Sequence, residues 1–314
     1  MTFKRAREAA VSTLAVVLIV LVVIAVVAII LVAPLKSVNV DEEVEVPYQE
    51  GLSSLQLSLK CDLGQVSVGF VNDTSPLVSM TVKGVARQSL VTSGDPVRIV
   101  WDASAAGPAL SLAAEVRMDT FSTSFGLQEI EIDMLISDSL VSDITVEHSV
   151  GAVRLYAGEG VSLSNLRLVQ KTGEVAASIG PGTTLSGDVS LESTTGAARL
   201  DWEDVDVEGD VAVDLHTTTG SVSLRMVQGH SAPGNVTLQA SATTGGIQME
   251  MDIEDGVSSR VSSSASIGNV EVLNRQGFDG DDTLLSSSNY PAGMSVDVFL
   301  STSTGGITLD LSYT

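Results

Sequence analysis

The sequence predicts an all-β protein: a parallel β-solenoid of about 22–25-residue two-strand rungs, preceded by one N-terminal transmembrane α-helix. Three observations predict it. A glycine-ended tag recurs at a nearly constant period, the tag is flanked by apolar residues at fixed offsets, and a long uncharged run precedes both.

The uncharged run comes first in the chain. From Ala9 to Leu35 there are 27 consecutive uncharged residues, nearly all Val, Ile, Leu and Ala. A bilayer core takes about 20 such residues in a helix. A cleaved signal peptide is the rival, but its apolar region runs about 7–15 residues, and Ala33-Pro34 makes a poor cleavage site. The reading is an uncleaved signal anchor. Lys4, Arg5 and Arg7 precede the run and only Lys36 follows closely. Positive charge stays on the cytoplasmic side. Residues 1–8 are then a cytoplasmic tail, 9–35 the transmembrane anchor, and the remainder an extracellular domain at the cell membrane. The sequons at Asn72 and Asn235 offer glycosylation acceptors that fit this topology.

Charge divides the same way. Residues before 37 sum to +3 and the rest to −26, for a net −23. An acidic surface of this kind repels nucleic acid, so nucleic-acid partners are set aside. Cys61 is the single cysteine, which leaves no intrachain disulfide and no cysteine metal cluster. The domain must be held by its core and its hydrogen-bond ladders.

The repeat array covers residues 144–314. Its tag reads Ser193-Thr194-Thr195-Gly196, Thr217-Thr218-Thr219-Gly220, Ala242-Thr243-Thr244-Gly245 and Thr302-Ser303-Thr304-Gly305, with further copies ending at Gly151, Gly173 and Gly268. These seven glycines are 22, 23, 24, 25, 23 and 37 residues apart. Residues seven and five before each glycine, and two and four after it, are apolar, with Ser263 the one exception. Each flank alternates with period two, the mark of a strand with one buried face. The offset from minus five to plus two is odd, so the chain must re-phase at the corner, where glycine permits positive φ or a close backbone approach. The Ser and Thr hydroxyls are expected to satisfy turn amides locally. A propeller needs about 40 residues per blade, and a period near 23 leaves room for only two short strands.

Residues 40–143 form the irregular first part, or cap, of the extracellular domain. Leu57 and Leu59 precede Gly64, and Val66 and Val68 follow it, in the register of an eighth corner. Val78–Val82, Val97–Trp101, Ala109–Val116 and Ile130–Ile136 read as strands. The long final spacing holds Phe278-Asp279-Gly280-Asp281-Asp282, read as a surface loop. The last rung ends at Thr314 without a visible cap, and an open edge there invites self-association or a protein partner.

The tag Thr-Thr-Gly-x-Val/Ile-x-Leu, following x-Val-x-Leu strands, resembles the adhesin family of bacterial and archaeal envelope proteins with toastrack-like repeats. The resemblance covers about residues 50–314. It implies a stack of β rungs, surface interaction or envelope-stress sensing, and no catalytic residues to carry over.

Chemistry is sparse. His148, His216 and His230 are the only histidines, and none stands at a readable spacing from a nucleophile. Asp279, Asp281 and Asp282 are calcium candidates, weighed against a solvated acidic loop. Asp201, Asp204 and Asp206 are the best carboxylates for glycoside cleavage, should they converge on one face. Trp202 and Tyr156 are either sugar-stacking platforms or core. The function expected is a non-enzymatic, membrane-anchored adhesin-like, scaffold or envelope-sensing module with no cofactor. The alternatives are a surface polysaccharide-active enzyme on a β-helix and a passive envelope spacer.

Overall fold

In the computed structural model the described residues are 35–72, 75–89, 95, 97–118 and 129–314. They form strands and turns, with no helix long and apolar enough to cross a membrane among them. The anchor expected over 9–35 lies outside the described residues, apart from Leu35, which opens the first strand.

The strands run β1 (Leu35–Val46), β2 (Ser54–Val71), β3 (Val78–Ser89), β4 (Val97–Ala106), β5 (Ala109–Met118), β6 (Glu129–Ser137), β7 (Val141–Ala157), β8 (Ser162–Ile179) and β9 (Thr184–Leu185). They continue with β10 (Val189–Thr195), β11 (Ala198–Glu203), β12 (Asp206–Val207), β13 (Val211–Thr219), β14 (Val222–Gln228), β15 (Val236–Thr244) and β16 (Ile247–Ile253). The last are β17 (Val257–Ile267), β18 (Val270–Gln276), β19 (Phe278–Asp281), β20 (Leu284–Ser287), β21 (Met294–Thr304) and β22 (Ile307–Tyr313).

The repeats pair in parallel, corner on corner. Gly64 stands opposite Gly151, and Gly151 opposite Gly173, so the eighth corner is a true member of the series. β8 meets β10 and β11, these meet β13 and β14, and these meet β15 and β16. The expected re-phasing occurs at glycines with φ between 125° and 146°. Side chains three before the glycine and two after it both point inward, as His148 and Val153 do. A Cβ on Gly220 would overlap the carbonyl oxygen of Gly196, so the corner needs glycine for space as well as for φ.

The tag hydroxyls act differently from the local role expected. Ser193 Oγ donates to the Gly173 carbonyl at 3.1 Å, Thr217 Oγ1 to Gly196 at 3.1 Å, and Thr302 Oγ1 to Gly245 at 3.0 Å. Each bond runs to the corner of the neighbouring repeat. At these three corners the residue three before the glycine is buried and its hydroxyl ties one corner to the next, whereas Ala242 and Ala265 hold the same position before Gly245 and Gly268.

The final repeats depart from sequence order. β21 and β22 lie between β15–β16 on one side and β17–β18 on the other. The strand that ends at Tyr313 is therefore paired on both sides, and the open edge expected at Thr314 is not there. The outermost repeat is β17–β18. Phe278–Asp282 is also not a plain loop: β19 and β20 form an antiparallel hairpin over β17, with Phe278 and Leu285 buried. Ser263, the exception to the apolar rule, donates its hydroxyl to Asp282 O of this hairpin at 2.8 Å.

At the other end the four expected strands all form, in a mixture of parallel and antiparallel pairings. β5 pairs in parallel with the first half of β2 and β6 with its second half, while β4 with β5, β3 with β6 and β1 with β3 pair antiparallel. One continuous apolar core runs through the whole described chain.

Candidate functional site

The sheet of first-half strands turns a row of polar side chains outward. A depression of about 590 Å³ crosses β8, β10, β13 and β15. Parallel in-register pairing places like positions of successive repeats side by side. Arg167, Ser190, Asp214 and Gln239 form one column, and Glu192, His216 and Ser241 form the next. Arg167 pairs with Glu192 at 2.7 Å, and His216 Nδ1 lies 2.8 Å from Ser241 Oγ. A second hollow of about 160 Å³ shares His216 and Ser241 and continues over β21 and β17 among Thr243, Ser264, Ser266, Ser301 and Ser303. The two together make a polar trough across six adjacent strands, on the order of 24 Å long at about 4.8 Å per strand. One end is charged and the other is lined by hydroxyls. The trough can accept hydrogen bonds from an extended ligand and donate to it along its length.

The opposite sheet is different in character. Arg154 pairs with Glu174 at 2.8 Å, Arg199 with Asp201 at 3.0 Å, and Arg225 lies 3.7 Å from Glu250. Arg154, Arg199 and Arg225 are each held by a neighbouring carboxylate.

The other candidate residues fall as follows. Trp202 is wholly buried and donates Nε1–H to Gln228 Oε1 at 2.9 Å, so it is core. Tyr156 is 53% exposed. Asp201 turns to Arg199, whereas Asp204 and Asp206 converge on His230, at 3.7 Å and 3.0 Å. The structure thus brings together two of the three carboxylates, with a histidine that the spacing did not link to them. Asp204 has φ 46° and also accepts Gly229 N–H at 2.6 Å. Asp281 Oδ1 accepts Thr283 N–H, Thr283 Oγ1–H and Leu284 N–H, which hold its pKa below the usual carboxylate range. Asp282 faces Arg275 at 3.7 Å. Among the described residues no group of three or more His, Cys, Asp or Glu could hold a metal ion. Asn235 is exposed, and its Oδ1 accepts from Ser295 N–H and Oγ–H, both at 3.0 Å. The sequon at Asn72 has two residues outside the described set.

Sequence reasoning missed the setting of His148. It is 2% exposed, one step from Cys61 in the corner column, beside a cavity of about 240 Å³ that Asp62, Glu115 and Lys171 also line. Burial pushes the Cys61 thiol up to about 12, with Asp62 adding to the shift, so it is no thiolate nucleophile at neutral pH. The signal for the column was the residue three before each glycine.

The fold and the trough define an all-β repeat protein with a polar outer face. No family model matches the sequence, and no curated protein matches it. Solved structures do. A "putative cell adhesion protein" from Clostridium sporogenes aligns over 87% of this chain and 100% of its own, at 12% identity and a TM-score of 0.41. A "putative adhesin" from Bacteroides fragilis aligns over 87% and 97%, at 11% identity and 0.37. A third, a "putative adhesin" from Parabacteroides distasonis, aligns over 88% and 98%, at 10% identity and 0.20.

Proposed function

We propose that this chain is a non-enzymatic, adhesin-like module of the cell surface, held by a membrane anchor over residues 9–35. Its repeats wind as a parallel β-solenoid that presents the trough. The observation that carries the reading is the trough: six in-register strands with hydroxyl, amide and charged side chains aligned along it. Parallel stacking repeats one polar spacing at each strand, which suits a ligand that is itself extended and repetitive. Its polar lining favours a glycan or an extended peptide over an apolar ligand.

Two experiments test this. Protease added to intact cells should remove the domain and spare an N-terminal fragment; full protection would refute the outside location. The full chain in nanodiscs should bind immobilised envelope polysaccharide or extended polar peptide. Asp214→Arg combined with Ser241→Arg should weaken that binding at least tenfold with the circular dichroism unchanged. Binding indifferent to both changes would remove the trough from the reading.

A further inference from the structure

The two ends of the stack are finished differently. At the far end β18 pairs with β22 alone, yet that edge is guarded. The ladder is interrupted between Val272 and Asn274, which bulges Leu273 out. Arg275, on the same strand, reaches the hairpin, 3.4 Å from Gly280 O and 3.7 Å from Asp282. The hairpin itself covers the core with Phe278 and Leu285. A bulge, a tethered charge and a covering hairpin are the means by which sheets avoid edge-to-edge pairing.

At the first end, the described residues leave two strand edges unpaired. Among the described residues β1 has a single partner, β3, and β4 a single partner, β5. Their bare edges line a cleft of about 570 Å³. Its floor is apolar: Val38, Val40 and Val44 from β1, and Val97, Ile99 and Trp101 from β4. All but Val40 are only half-buried, whereas the inward residues of the repeats are fully covered. The rim is acidic. Glu42 and Asp95 line it with Arg98, and the opposite face of β1 exposes Asp41, Glu43 and Glu45, of which Asp41 stands across from Lys83 of β3.

We propose that this cleft receives an extended segment of a partner protein, in which apolar and basic side chains alternate, as an added β-strand. Alternate side chains of a strand point to opposite faces. One set would complete the apolar floor, and the other would meet the carboxylates of β1. The backbone would take up the free N–H and C=O groups of a bare edge, as in strand addition generally. This inference is independent of the trough and of what binds there.

The chain has two tryptophans, Trp101 and Trp202. In the full chain carrying Trp202→Phe, emission reports on Trp101 alone. The probe is an eight-residue peptide alternating valine and lysine. It should bind saturably and shift Trp101 emission to the blue. A peptide of the same composition with its lysines in one block, and a valine–glutamate peptide, should each bind at least tenfold more weakly. Glu42→Lys with Glu43→Lys changes only exposed side chains and should also weaken binding tenfold. Ile99→Arg should abolish the emission shift. Equal binding of the three peptides, or no response of Trp101, would overturn the proposal. So would a Trp101 shift that depends on protein concentration without peptide, since that assigns the cleft to a second copy.

Discussion

His148 Nδ1 lies 2.7 Å from Gln170 Oε1, one repeat along the corner column, while its Nε2 is buried without a partner. Gln170 uses its Nε2 to donate to Thr172 O at 2.6 Å, so its Oε1 is the acceptor and His148 Nδ1 carries the proton. Nε2 is then a bare lone pair, and no acceptor awaits a second proton. Burial lowers the His148 pKa from its ordinary value, against smaller opposing effects of Gln170 and the Asp62 charge.

The sign of the pH effect follows. The unfolded histidine titrates near about 6.5 and the folded one lower, so the unfolded chain binds more protons in between. The stability is fully present above the unfolded value and is lost as pH falls through that window. His148→Gln, which places a second glutamine in the column, should remove this part. Melting temperatures of the wild type and the variant should converge or cross between pH 7.5 and 5. Parallel curves would show that His148 does not titrate on unfolding.

Gly220→Ala should cost at least about 2 kcal/mol, because φ is 145° and the new Cβ meets the backbone of Gly196. Gly158→Ala is the control. A Cβ there meets nothing within 4 Å, and the change should stay within about 0.5 kcal/mol. Urea denaturation of the two variants decides it; equal costs would mean the corners tolerate a side chain.

Trp202→Ala should destabilise by about 3–5 kcal/mol through the cavity it leaves. Gln228→Leu should cost about 1–3 kcal/mol, because the indole N–H and the Val205 N–H both lose their acceptor inside the core. A Trp202 variant of unchanged stability but lost ligand binding would make this residue a platform after all.

Phe278→Ala should loosen the far hairpin, with a cost of about 3 kcal/mol. With the hairpin displaced, the bare edge of β17 is expected to promote self-association, visible as concentration-dependent sedimentation. A variant that stays monomeric would show that the bulge at Leu273 protects this end alone.

Calcium should leave the melting temperature of the domain unchanged, since Asp281 serves its own turn and Asp282 faces Arg275. A rise with calcium that Asp279→Asn abolishes would restore the metal reading of this hairpin.

The sequence by itself determined the repeat. Period-two apolar flanks around Gly151, Gly173, Gly196, Gly220 and Gly245 announce two strands and a corner, because burial on one face and a positive-φ glycine leave direct marks on residue choice. It also marked Gly64 as a corner, and the four strands beyond it. Only the tertiary structure decided the stacking order, since β15, β17 and β21 share the same two-strand register, and nothing along the chain says that β21 pairs with both of the others. The same holds for the partners of the tag hydroxyls. A Ser or Thr three before a glycine reads the same whether its proton goes to its own turn or to the next corner, and here the distance to the neighbouring glycine carbonyl, near 3.1 Å, decides. The trough and the cleft were illegible for a like reason: outward polar residues are under no burial constraint in any one strand, and their alignment exists only once the strands are laid side by side.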